Sequence, residues 1–229
     1  MMGVDVAFDK ARAQGRPALI GYLPAGFPSV AGGIAAARTL IDAGIDVIEV
    51  GLPYSDPVMD GPVIQRATQA ALEVGVRTRD VLFTVESLAS AGVPVIVMTY
   101  WNPVERYGVS AFARDLAAAG GAGLITPDLI PDEAEEWLAA AETHDLDRVF
   151  VVAPSSTDAR LAMTAAACRG FVYAASVMGV TGARDRPSAA APALVERLRR
   201  VTDLPVGVGL GVRDGAQAAA VGRYADGVI

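Results

Sequence analysis

Carboxylates are the side chains in this sequence best placed to do chemistry. Glu49 interrupts the apolar run Asp46-Val-Ile-Glu-Val-Gly51 one residue before that run ends. If the run is a strand, side chains alternate between its faces, so Val47, Glu49 and Gly51 share one face. A carboxyl turned inward among apolar groups is desolvated. Its pKa rises, which suits it to proton transfer near neutral pH. The competing reading is a structural carboxylate satisfied by backbone or by a tyrosine. The nearby sequence offers no basic partner, and an unpaired buried carboxylate is costly, which favours the chemical reading. Two more carboxylates, Asp56 and Asp60, follow in the loop Gly51-Leu-Pro-Tyr-Ser-Asp-Pro-Val-Met-Asp-Gly-Pro62. Prolines fix φ and stiffen such a loop. Taken alone, Asp60-Gly61-Pro62 reads as a turn and helix cap. Its place after the Glu49 strand brings a second carboxylate to the same rim.

Scarcity removes most other chemistries. There is one cysteine, Cys168, so no internal disulfide forms. One histidine, His144, is too few for a multi-histidine zinc site or a Cys/His cluster, and no metal is expected. It lies in the polar run 142–147 and reads as a solvated helix-end residue. Lys10 is the single lysine and precedes the first strand, badly placed for a Schiff base. Three glycine-bearing segments stand late in the chain: Gly179-Val-Thr-Gly-Ala-Arg184, Gly209-Leu-Gly211 and the end after Gly227. Glycine lets backbone N–H groups approach a ligand closely, a phosphate above all. Ordinary tight turns are the equal alternative for any one of them. Residues 179–184 are also long enough to form a mobile lid.

These residues need elements to hold them. Strand-like runs are read at 18–23, 46–51, 94–99, 121–126, 149–153, 171–175, 205–209 and 225–229. Helical patterns are read at 30–43, 61–74, 78–91, 110–119, 132–143, 158–168, 190–201 and 214–222. The strands are rich in Val and Ile with little alternation, as when both faces are buried. Repeated βα units imply a parallel sheet, and eight of them favour a closed (β/α)8 TIM barrel over an open Rossmann-like or flavodoxin-like sheet. No linker divides the 229 residues, which read as a single domain, 1–229. In such a barrel the site forms at the C-terminal ends of the strands, where Glu49 and the glycine segments fall.

Composition narrows the partners. Hydrophobic residues make up 52% and charged residues 20%, enough for a large core and against disorder. The net charge of −7, with a basic cluster only at 197–200, argues against nucleic acid and anionic membrane. Apolar runs such as 93–98 are too short to span a bilayer. The N-terminus has no apolar signal core, so a cytoplasmic location is expected.

The segment Glu49-Val-Gly-Leu-Pro-Tyr-Ser-Asp-Pro-Val-Met-Asp-Gly-Pro-Val-Ile-Gln65 closely resembles the signature of the tryptophan synthase alpha subunit family. Other segments agree in order: Gly21-Tyr-Leu-Pro-Ala-Gly26, Tyr100-Trp-Asn-Pro103, Pro127-Asp128-Leu129, Ala153-Pro154, Gly170-Phe-Val-Tyr173, Gly179-Val-Thr-Gly182, Gly209-Leu-Gly211 and Ala225-Asp-Gly-Val-Ile229. The resemblance runs along essentially the whole chain. It implies a TIM barrel that cleaves indole-3-glycerol phosphate to indole and glyceraldehyde 3-phosphate, with no cofactor in this subunit. It also implies a beta subunit partner in an alpha2beta2 heterotetramer, which carries pyridoxal phosphate and receives indole.

Residue by residue, the resemblance makes Glu49 the general acid/base and Asp60 the carboxylate at the indole N–H. Tyr173 stands beside the glutamate, Thr181 is a lid residue, and Gly182 and Gly211 are backbone phosphate contacts. Tyr22, Met98, Ile125 and Val151 fall where the family lines the indole pocket, and Pro53, Asp56 and Pro57 where it meets its partner. The implied chemistry fits the scarcities, because a C3-protonated indole can serve as its own electron sink. Tyr54 and Met59 depart from the family's usual Phe and Ala. The sequence ends at Ile229, where the family continues into a phosphate-binding Gly-Ser pair and a last helix. The expectation is therefore a barrel without its last loop and helix. Rival readings are a lyase acting without a beta subunit, a non-catalytic remnant that only activates the partner, and another phosphate-sugar barrel such as an epimerase.

Overall fold

Strands buried on both faces need helices outside them and side chains within, and a closed barrel supplies both. The computed structural model describes residues 2–176, 190–209 and 211–229. Its strands are β1 (Ala18–Pro24), β2 (Val47–Gly51), β3 (Val95–Met98), β4 (Gly123–Thr126), β5 (Asp147–Val152), β6 (Val172–Ala175), β7 (Val206–Gly209) and β8 (Gly227–Val228). They pair in chain order, all parallel, and β8 closes on β1. The expected (β/α)8 barrel is the observed fold.

Alternation along the strands divides the interior into two cores. Ile48, Val50, Val95, Val97, Leu124, Phe150 and Val172 face outward, against the surrounding helices. Ile20, Val47, Ile96, Ile125, Val149, Phe171 and Tyr173 fill the lumen. The helix Val4–Ala13 buries Val4, Ala7, Phe8 and Ala11 and plugs the floor, with Phe8 packed on Phe171 at 5.3 Å between ring centroids. This helix is absent from the sequence expectations, because a short apolar stripe before the first strand carries little signal.

The floor plug is tied down by one carboxylate. Asp147, at the start of β5, accepts from the Val4 N–H at 2.9 Å and from Arg169 Nε at 3.0 Å. It is 3% exposed. Asp147→Ala leaves the Val4 N–H unpaired and takes one of Arg169's two carboxylate partners, Asp145 being the other, so a loss of about 2 kcal/mol is expected. Urea unfolding checks it, and an unchanged midpoint would remove the tie.

Several expected boundaries shift. The strand expected at 149–153 begins two residues earlier, because Asp147 and Arg148 pair with Gly123 and Leu124. The helix expected at 132–143 is a 3-10 turn, Pro131–Glu133, followed by the helix Glu135–Thr143. The helix expected at 78–91 stops at Leu88. The strand expected at 225–229 keeps only Gly227–Val228 as strand. The helix Trp101–Tyr107 also goes unpredicted. Its Trp101 N–H is capped by Asp128 Oδ1 at 2.9 Å, a residue distant in sequence.

Candidate active site

β2 places Glu49 in the lumen between Tyr22 of β1 and Ile96 of β3, its register neighbours. It is 1% exposed, and its Oε2 has no hydrogen-bond partner among the described residues. Burial alone drives its pKa up from the usual carboxylate value to about 8. A neutral carboxyl at physiological pH is the consequence. This is the inward, desolvated glutamate that the strand pattern predicts, and among the described residues no basic group offsets it.

Asp60 approaches the same mouth from the loop after β2. The helix Pro62–Glu73 starts directly beyond it, with Gly61 as N-cap and Pro62 in its first turn, so the turn-and-cap reading also holds. Gln65 Nε2 donates to the Asp60 carbonyl at 2.9 Å, fixing the backbone there. The carboxylate accepts from the Tyr100 hydroxyl, Oη to Oδ1 2.8 Å. That same hydroxyl accepts from the Met59 N–H at 2.9 Å. Half-buried Asp60 has its pKa raised by desolvation, with the Tyr100 hydrogen bond pulling it back down. Tyr100 is the functional side chain that residue spacing did not single out. Its role depends on two residues about forty positions away, and no local pattern reports that.

Two tyrosines of the lumen, one on β1 and one on β6, each reach over a glycine of the next strand. Tyr22 lies over Gly51 and Tyr173 lies over Gly209. In each case a Cβ on the glycine would overlap the tyrosine hydroxyl, so only glycine leaves room for the ring. Tyr173 is buried, and its pKa is raised by desolvation first and then by the charge of Glu49. Met98 and Ile125 share one register level with Gly51, and Val151 pairs with Tyr173. Met98 and Val151 are partly buried, while Ile125 is fully so and belongs to the packed lumen. Together they add apolar surface to the lumen near Glu49.

Gly211, after β7, has φ 108°, a conformation that needs glycine. Thr181 and Gly182 lie outside the described residues, as does the lid expected at 179–184. Pro53 is buried, Asp56 is exposed and Pro57 is partly buried. Ser55 Oγ donates to Asp56 Oδ2 at 2.5 Å. Lys10 sits on the floor helix, at the other end of the barrel from Glu49. His144 caps the end of the helix Glu135–Thr143, as expected. Among the described residues no group of three or more His, Cys, Asp or Glu could hold a metal ion.

A family model described as tryptophan synthase alpha chain matches residues 8–229. The chain belongs to the tryptophan synthase alpha chain family. A tryptophan synthase alpha chain from Salinispora arenicola is 69% identical over 229 residues, covering 100% of this chain and 86% of that protein. One from Mycobacterium tuberculosis is 68% identical over 222 residues, covering 97% and 82%. Among solved structures, tryptophan synthase of M. tuberculosis superposes with a TM-score of 0.95 at 66% identity, covering 99% of this chain and 87% of that one. A mutant alpha-subunit from Pyrococcus furiosus superposes at 0.82 with 32% identity, covering 92% and 85%. As an alpha chain of this family, the protein has its buried glutamate and its loop aspartate at the end of the barrel where such folds do chemistry.

Proposed function

We propose that the chain cleaves indole-3-glycerol phosphate to indole and glyceraldehyde 3-phosphate, as the alpha subunit of a tryptophan synthase. The observation that carries this reading is the pair of unlike carboxyls at one mouth: Glu49 neutral through burial, Asp60 held by Tyr100. Glu49 gives its proton to C3 of the indole. The ring nitrogen takes the positive charge, and Asp60 accepts the N–H and balances that charge. Glu49, now ionised, removes the proton of the hydroxyl on the adjoining chain carbon. The bond from that carbon to C3 breaks, its electrons restore the indole, and the carbon leaves as the aldehyde. Glu49 ends as it began. No lysine imine is required, in keeping with a sole lysine on the floor helix.

Met98, Ile125, Val151 and the Tyr22 and Tyr173 rings would bed the indole. Gly211 N–H, with Thr181 and Gly182 after β6, would serve the lid and the phosphate. Chromatographic product analysis tests the reading: indole and glyceraldehyde 3-phosphate are expected in equal amounts, and neither product would refute it.

The partner is a beta subunit in an alpha2beta2 complex, docking on the loop at Pro53, Asp56 and Pro57. Pyridoxal phosphate belongs to that partner, and this chain needs no cofactor of its own. Supporting this, Val58 on that loop is 68% exposed, and a cleft of about 800 Å³ runs beside Asp56 and Pro57. We place the chain in the cytoplasm; among the described residues no helix is long and apolar enough to cross a membrane.

Tyr100→Phe isolates the support of Asp60. The lost hydrogen bond ends at a charged group, so kcat/KM is expected to fall by about 10-fold. Tyr100 holds the Asp60 pKa down, so the variant raises it. Asp60 acts ionised, so the acid limb of the kcat/KM profile moves to higher pH. An unmoved limb would detach Tyr100 from Asp60.

A further inference from the structure

We propose that the Tyr22 hydroxyl is a substrate-binding group, which takes the hydroxyl on the middle carbon of the substrate's three-carbon chain. The inference rests on the cleavage reading above and adds a residue to it.

The position of the hydroxyl comes from the sheet. Tyr22 is the register partner of Glu49 across β1 and β2. Its ring reaches forward over Gly51, two residues beyond Glu49 on the same inward face. The hydroxyl therefore lies one level nearer the mouth than the Glu49 carboxyl. A residue with any side chain at 51 would occupy its place. The tyrosine as a whole is partly buried, and its hydroxyl sits against Gly51. It makes no hydrogen bond among the described residues. Burial and the nearby charges of Asp60 and Glu49 raise its pKa, which keeps the proton on oxygen. A polar group left without a partner in such a place has a binding cost unless a ligand supplies one.

The substrate has one polar group still unassigned. Its ring N–H goes to Asp60 and its phosphate to backbone amides after β6 and β7. The hydroxyl on the carbon bonded to C3 exchanges its proton with Glu49. The middle-carbon hydroxyl remains, and it lies between the reacting carbon and the phosphate. Of the two neutral hydroxyls near Glu49, that of Tyr173 belongs to a buried residue, whereas Tyr22 is only partly buried and lies on the strand next to Glu49. Its ring contributes to the indole bed, and its oxygen takes the hydroxyl.

The test is a cycle of two proteins and two substrates. The proteins are the parent chain and Tyr22→Phe, which keeps the ring. The substrates are indole-3-glycerol phosphate and its analogue lacking the middle-carbon hydroxyl, which can undergo the same cleavage. A single neutral hydrogen bond predicts that Tyr22→Phe lowers kcat/KM for the full substrate by about 10-fold. Removing the hydroxyl from the substrate costs the parent a similar factor, and costs Tyr22→Phe less than about 2-fold, the mark of direct coupling. Losses that multiply independently overturn the proposal, as does an unchanged kcat/KM in Tyr22→Phe. So does a loss equal for both substrates with a moved pH limb, which would mean the hydroxyl serves a carboxyl. The analogue measured on the parent is independent of how the variant folds. A parent that cleaves neither substrate refutes the functional reading instead, and calorimetric affinities of the same four pairs then decide Tyr22.

Discussion

Glu49→Gln is expected to keep the barrel and to lose indole release by about 10²–10⁴-fold, the contribution of one general acid/base. The amide matches the carboxyl in shape and fits the same site between Tyr22 and Ile96. It has no proton to give to C3 and no basic oxygen to take the hydroxyl proton. Stability should respond in the opposite direction to activity. The folded pKa of Glu49, about 8, lies above its ordinary 4.5. The folded chain therefore holds a proton that the unfolded chain releases between those values. Its stabilising contribution is complete below about pH 4.5 and is lost as pH rises towards 8. Glu49→Gln removes that slope. Urea unfolding of both proteins across this range reads it directly. A Gln variant releasing indole at near the parental rate would dismiss Glu49 as the acid.

Asp60→Asn should cost about 10²–10³-fold in kcat for the isolated chain, in line with removal of one group aimed at developing charge. An amide cannot balance a positive ring nitrogen, although it can still accept from Tyr100. Asp56→Asn should change the isolated chain's rate by less than about 2-fold, since exposed, well-solvated groups away from the reacting atoms contribute little. Asp56 is exposed and is engaged by Ser55, whereas Asp60 is half-buried at the mouth. Steady-state rates without a beta subunit rank the two. The reverse order would mean that Asp56, not Asp60, meets the ring nitrogen.

The strands were legible because burial on both faces writes long runs of Val and Ile, and Glu49 was legible as a charge flanked on both sides by apolar residues of such a run. The period of two then placed Val47 and Gly51 on its face without any structure. What stayed hidden was non-local. The helix Trp101–Tyr107 has only seven residues, with Asn and Pro in its first turn, and its cap is Asp128 from another loop. Tyr100 supports Asp60 across forty positions, through a hydroxyl that also holds the Met59 amide. The glycines at 51 and 209 gave no sign of their purpose, because the rings they admit come from neighbouring strands. Charged residues misled at the start of β5, where Asp147 is strand, floor tie and helix anchor at once. Spacing reports an element's own faces, whereas sites at barrel mouths are assembled from residues of several elements.

Infrared difference titration of the Glu49 carboxyl most directly tests whether burial makes this residue an acid at neutral pH. The parent chain, compared with Glu49→Gln, is followed from pH 4 to 10, on the order of the range its shift spans. The expected result is a protonated carboxyl band at neutral pH that disappears with a midpoint of about 8 and is missing in the variant. A carboxylate already ionised at neutral pH, titrating near the ordinary 4.5, would contradict it.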